Sequence, residues 1–150
     1  MTDMSRRNSR EATVKIIFQN EFIDPRLRTD PYDGAQIAVE DMVAMFVSSA
    51  EEKELKKIDR AFVAEILGKV LDNIAEIDAV IAAHIDADWN IGRLCKVDLA
   101  ILREALAEIK YFDDIPVSVS INEAVERAKK FSYPEAPAFI NGILGSVSRE

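Results

Sequence analysis

Residues 115–148 read IPVSVSINEAVERAKKFSYPEAPAFINGILGSVS, and this stretch decides the fold. Ser120-Ile121-Asn122-Glu123 matches the S-x-x-E capping box, in which serine and glutamate satisfy each other's orphan backbone N–H groups at a helix start. Behind it, Ile121, Ala124, Val125 and Ala128 recur at helical spacing and form one apolar stripe. The pattern predicts a helix over 119–131. Pro134 and Pro137 close that helix and open the next, predicted over 136–148 with Ile140, Ile143, Leu144 and Val147 on one side. PVSVS at 116–120 is the one alternating run in the chain, and it is too short to build a sheet.

Working outward, further helices are predicted over 5–22, 36–49, 59–71, 72–85 and 92–110. Phe62, Val63, Ile66, Leu67, Val70 and Ile74 form one core stripe, and Ile101, Leu102, Ala105, Leu106 and Ile109 another. Pro25, Pro31 and Gly34 break the chain after the first helix, and Asp59 is placed to cap the helix that follows it. The reading is an all-α fold, a compact bundle of about seven helices in a single domain over 1–150.

The 150 residues are 49% apolar and 31% charged, which excludes a disordered chain. The longest apolar run, Met42 to Val47, is far short of the roughly 20 residues a membrane span needs. The opening MTDMSRRNSR has positive charge with no apolar stretch behind it, so no secretory signal is read there. The single cysteine, Cys95, rules out an internal disulfide and a cysteine zinc site, and a reducing, cytoplasmic setting is expected.

The net charge of −8 is unevenly spread: +2 over residues 1–28, −9 over 29–91 and −1 over 92–150. The acidic middle repels phosphate and attracts basic partners, or is simply a solvated face. The two ends carry the cations. On the first helix, Ala12, Ile16 and Ile23 share one face at about 100° per residue, while Val14, Phe18 and Phe22 share a second. Arg7 projects onto that second face, with Arg10 slightly to its side. Two apolar faces mean either a helix buried between neighbours or an open aromatic–arginine strip of the kind that binds single-stranded RNA.

Near the other end, Arg127, Lys129, Lys130 and Phe131 close the helix over 119–131. The helix dipole alone accounts for the lysines but not for Phe131. Phe139 lies about 100° off the apolar stripe of the last helix. Gly142 and Gly145 sit on the side away from that stripe, where close approach of another backbone, from a helix or a ligand, would account for two glycines in one helix.

Catalytic readings fail on the residues themselves. His84 is the only histidine and has no nucleophile–acid pattern around it. Cys95 reads as a buried structural cysteine, and Trp89 as a core or hinge residue. Asp86 with Asp88, and Asp113 with Asp114, lack the further ligands and turn glycine of a calcium loop. No P-loop is present. The chain reads as a non-enzyme with no metal and no cofactor.

The run IPVSVSINEAVERAKKFS, followed by FINGIL, resembles the signature of the NusB family of bacterial transcription antitermination factors. SRRNSREATVKIIFQ at 5–19 is similar to that family's arginine-rich first helix, and RLCKVDLAILREALAEI at 93–109 to its fifth-helix region. The resemblance implies an all-α bundle of seven helices in two subgroups. It implies pairing with NusE, a small-subunit ribosomal protein, and recognition of single-stranded boxA RNA in ribosomal RNA leaders. It further implies that the complex joins the transcription elongation complex and promotes antitermination. Arg6, Arg7 and Arg10 match the family's N-terminal arginines, and Phe18 stands where the family often carries tyrosine. Lys129, Lys130, Phe131 and Phe139 match its second RNA-facing patch, while Gly145 replaces an aspartate common after FINGIL. The resemblance leaves monomer and homodimer both open. The alternative reading is a protein-only adaptor that keeps the acidic partner face and does not read RNA.

Overall fold

The computed structural model describes residues 3–21, 38–51, 53–86 and 91–148. They form α1 (Asp3–Glu21), α2 (Val39–Ser49), α3 (Lys53–Lys56), α4 (Arg60–Asp72), α5 (Ile74–Ala83), α6 (Lys96–Tyr111), α7 (Val117–Phe131) and α8 (Ala136–Ser148), with a 3-10 turn over Ile91–Arg93. No strand occurs among the described residues. The seven predicted helices correspond to α1, α2 and α4–α8. The single turn α3 has too few residues to show a period. Trp89, Asp88, Phe22, Ile23, Pro25, Pro31 and Gly34 lie outside the described residues.

The chain divides into two compact units, residues 1–68 and 69–150. In the first, α1 packs against α2 and α3. Ala12, Val14, Ile16 and Ile17 are all buried, and so are the polar Ser9, Glu11 and Thr13. Of the two readings of α1, burial between neighbours therefore prevails over most of its length. Asp59 caps α4 as expected: its Oδ1 accepts the Phe62 backbone N–H at 3.3 Å.

In the second unit, α6 packs against α5, α7 and α8. Every residue from Asp98 to Glu108 is buried, so α6 is enclosed around its whole circumference. Burying Ile101, Leu102 and Leu106 stabilises the fold by about 1.5–3 kcal/mol per side chain. The polar residues of α6 need partners at that depth. Arg103 donates to Asp78 of α5 through Nε and Nη2, both at 2.8 Å. Glu104 accepts from Arg127 of α7 at 2.9 Å, and Glu108 accepts from the Ser120 hydroxyl at 3.1 Å.

That last bond corrects the capping box. Helix α7 begins two residues early, with Pro116 as its N-cap at φ −59° and ψ 137°. Ser120 is thus a helix-interior residue, fully buried, whose hydroxyl serves Glu108 rather than a chain end. Glu123 faces Arg127 across 3.6 Å instead of reaching back to a cap. Proline fixes the entry φ and needs no N–H partner, so the helix starts where the ring allows. The predicted helix over 92–110 is also shorter, because Cys95 is extended (φ −56°, ψ 132°) and separates the 3-10 turn from α6.

For the glycines of α8, approach by a neighbouring helix is a second correction. A Cβ at Gly142 or Gly145 would meet nothing within 4 Å, so no backbone among the described residues approaches them.

Candidate nucleic-acid interface

The basic and aromatic residues singled out above fall into two groups, one in each unit. In the first, α1 carries Arg6, Arg7, Arg10 and Phe18. Arg7 is exposed, and Phe18, three turns further on the same side, is half-buried. Arg6 is half-buried with its Cζ 3.9 Å from the centroid of the Phe62 ring, a close cation–π stack. Arg10 is different: it is only 4% exposed, with its guanidinium 5.7 Å from the same ring. Its place one turn after Arg6 puts it on the side of α1 that faces Phe62, and the sequence pattern had put it beside the open face.

In the second unit, α7 ends in Lys129, Lys130 and Phe131. The lysines are exposed and Phe131 is half-buried. Lys129 Nζ lies 3.2 Å from Glu126, an exposed pair one turn apart whose contribution is small. Lys130 Nζ lies 5.1 Å from the centroid of the Phe131 ring. Arg127, read as part of this basic cluster, is only 3% exposed and is committed to Glu104. The cluster at the surface is therefore two lysines and a ring.

The Ser132 hydroxyl donates to Asp98 Oδ1 at 2.6 Å, which ties the end of α7 to the first turn of α6. Burial raises the Asp98 carboxyl above its ordinary value, and the Ser132 hydrogen bond partly offsets that rise. Beyond Ser132, Tyr133 and Phe139 are exposed, at 67% and 37%. They border a cavity of about 490 Å³ that Leu94, Cys95, Asp98 and Ala136 also line. Cys95 is a free, half-buried thiol rather than the buried residue expected.

Phe62 in the first unit and Tyr133 in the second are residues that sequence reasoning passed over. The signal for Tyr133 was an aromatic directly before Pro134 in a loop. Phe62 gave none, because its spacing is that of a core residue.

His84 ends α5 with its Nδ1 at 2.7 Å from the Val80 carbonyl oxygen. No group of three or more His, Cys, Asp or Glu side chains suited to a metal ion occurs among the described residues. No helix there is long and apolar enough to cross a membrane. In each unit by itself, accessible cations suit phosphates and accessible ring faces suit unstacked bases.

A family model described as the NusB family matches residues 7–149. The transcription antitermination protein NusB of Natranaerobius thermophilus is 42% identical over 98% of this chain and 96% of its own length. The same-named protein of Ruminiclostridium cellulolyticum is 40% identical over 97% of this chain and 90% of its own. Among solved structures, T. maritima NusB superposes with a TM-score of 0.76 at 29% identity, covering 97% of this chain and 91% of that one. A chain from the crystal structure of antitermination factors NusB and NusE in complex with double-stranded RNA shares the fold, with a TM-score of 0.72 at 18% identity over 99% of this chain and 98% of that one. Agreement over nearly the whole length, in sequence and in helix arrangement, leaves one conclusion: the chain belongs to the NusB family.

Proposed function

We propose that the protein is an RNA-binding transcription antitermination factor. Together with NusE it reads single-stranded boxA RNA in ribosomal RNA leaders and helps RNA polymerase pass terminators in the cytoplasm. The observation that carries this reading is that each chain end bears both cations and rings that are at least partly accessible: Arg6, Arg7 and Phe18 on α1, and Lys129, Lys130, Phe131 and Phe139 in the second unit. The cations neutralise phosphates and the rings stack unpaired bases. Arg10 supports its neighbours from beneath the surface. The names of the relatives, which are antitermination proteins, support the same reading. A crystal structure with the same fold that contains NusE and RNA supports the choice of partners.

A protein with a net charge of −8 gathers only a few phosphate contacts of its own. A basic ribosomal protein supplies more positive surface and shared contacts, and the acidic middle of the chain suits such a partner. The test is a fluorescence titration of labelled boxA RNA at two salt concentrations, with and without NusE. Binding is expected to weaken with salt and to tighten when NusE is added. Arg7→Glu and Phe131→Ala are each expected to weaken it about tenfold. Unchanged binding in either variant, with NusE present, overturns the site assignment. Capture of NusE with no RNA shift supports the protein-only adaptor instead.

A further inference from the structure

Phe62 is buried, and its spacing on α4 is that of a core residue, yet two guanidinium groups of α1 gather on its ring. We propose that Phe62 is a positioning residue for RNA binding: its ring holds the Arg6 guanidinium in place before the strand arrives. This role rests on the RNA reading above.

The chemistry allows the ring and a phosphate to share the arginine. A guanidinium is planar, with its N–H donors along the edges and none on the face. With Cζ 3.9 Å from the ring centroid, a guanidinium laid flat on the ring would keep its edge donors for a phosphate. A free arginine loses rotamer freedom when it binds, whereas a stacked one is already ordered.

The ring is itself fixed to the turn of α1 that it serves. The Phe62 N–H donates to Asp59 Oδ1 at 3.3 Å, and the Asp59 N–H donates to Ser9 Oγ at 2.9 Å. The Ser9 hydroxyl donates to the Ser5 carbonyl at 2.7 Å, next to Arg6. From Arg6 through Phe62, Asp59 and Ser9 to Ser5, the contacts close a loop. Arg10, buried one turn on, has its guanidinium 5.7 Å from the centroid of the same ring.

The test is a double-mutant cycle of wild type, Arg6→Gln, Phe62→Leu and the double variant, each titrated with boxA RNA over a range of salt. Phe62→Leu keeps an apolar side chain and removes the ring. It is expected to weaken binding about fivefold and to flatten the salt dependence by about one phosphate contact. Arg6→Gln is expected to do the same, and the double variant to bind no more weakly than Arg6→Gln alone. Losses that add, or wild-type binding by Phe62→Leu, overturn the proposal.

Phe62→Tyr retains the ring and guards against a variant that fails to fold. It is expected to bind like wild type, and weakened binding by the folded variant overturns the proposal. The Arg6 Nε–H resonance of the RNA-free protein is expected to carry a ring-current shift, and a resonance without one also overturns it. A wild-type chain that ignores RNA while showing that shift overturns the RNA reading, and is thereby told apart from a failed stack.

Discussion

Arg127 stands two residues before Lys129 and Lys130 and reads as part of their basic cluster, yet its guanidinium never reaches the surface. Composition marks it as a cation; only Glu104, 23 residues earlier, says what the cation is for. Arg6 and Arg10 teach the same lesson, since the ring that receives them is more than 50 positions away in the chain. Local spacing finds an arginine's face on a helix and is silent about what lies opposite. Removing one member of a buried ion pair strands the other, so Arg127→Leu is expected to lose about 3–5 kcal/mol in urea melts. Adding Glu104→Leu to it should recover most of that loss, because an apolar pair needs no desolvation of charge. Asp98 gives a prediction in pH. Its carboxyl is raised in the folded protein, chiefly by burial, so its contribution to stability is fully present below its ordinary value of 3.8 and is lost as pH rises through the raised one. Asp98→Asn keeps an oxygen for Ser132 and removes the charge. It is expected to melt above wild type near neutral pH, with the gap closing as the pH is lowered toward about 4.

At the scale of the element, the apolar stripes and proline breaks placed seven helices, because those signals are local and periodic. The head of α7 escaped for a physical reason: a capping box is defined by four neighbouring residues, whereas Ser120 answers to Glu108 on another helix. A buried carboxylate's need for a donor outweighed a helix cap that solvent could replace. Ser120→Ala should therefore cost about 1–3 kcal/mol, the price of a buried acceptor left short of a donor, as read by thermal or urea melts. Helix α8 makes the opposite case. Gly142 and Gly145 lower helix stability and have open space where a side chain would stand. Alanine at either position is expected to stabilise the fold by about 0.5–1 kcal/mol in the same melts.

For the whole molecule, the decisive quantity is the distribution of charge rather than its sum. The sequence showed that distribution directly: cations at the ends and an excess of acid between them. It did not show which cations are accessible, and the structure removes Arg10 and Arg127 from the surface. Four remain on the two candidate patches: Arg6, Arg7, Lys129 and Lys130. If each meets one phosphate of a single strand, the logarithm of the RNA affinity should fall against the logarithm of salt with a slope of about −3. A salt series without NusE checks that number, and a slope near zero would remove the phosphate contacts. The enclosed helix of the second unit has a further consequence. Residues 98–108 of α6 have no face turned to water, so no local fraying can expose their amides. Their deuterium uptake is expected to await cooperative opening of the whole unit, which makes this one helix an internal gauge of its global stability.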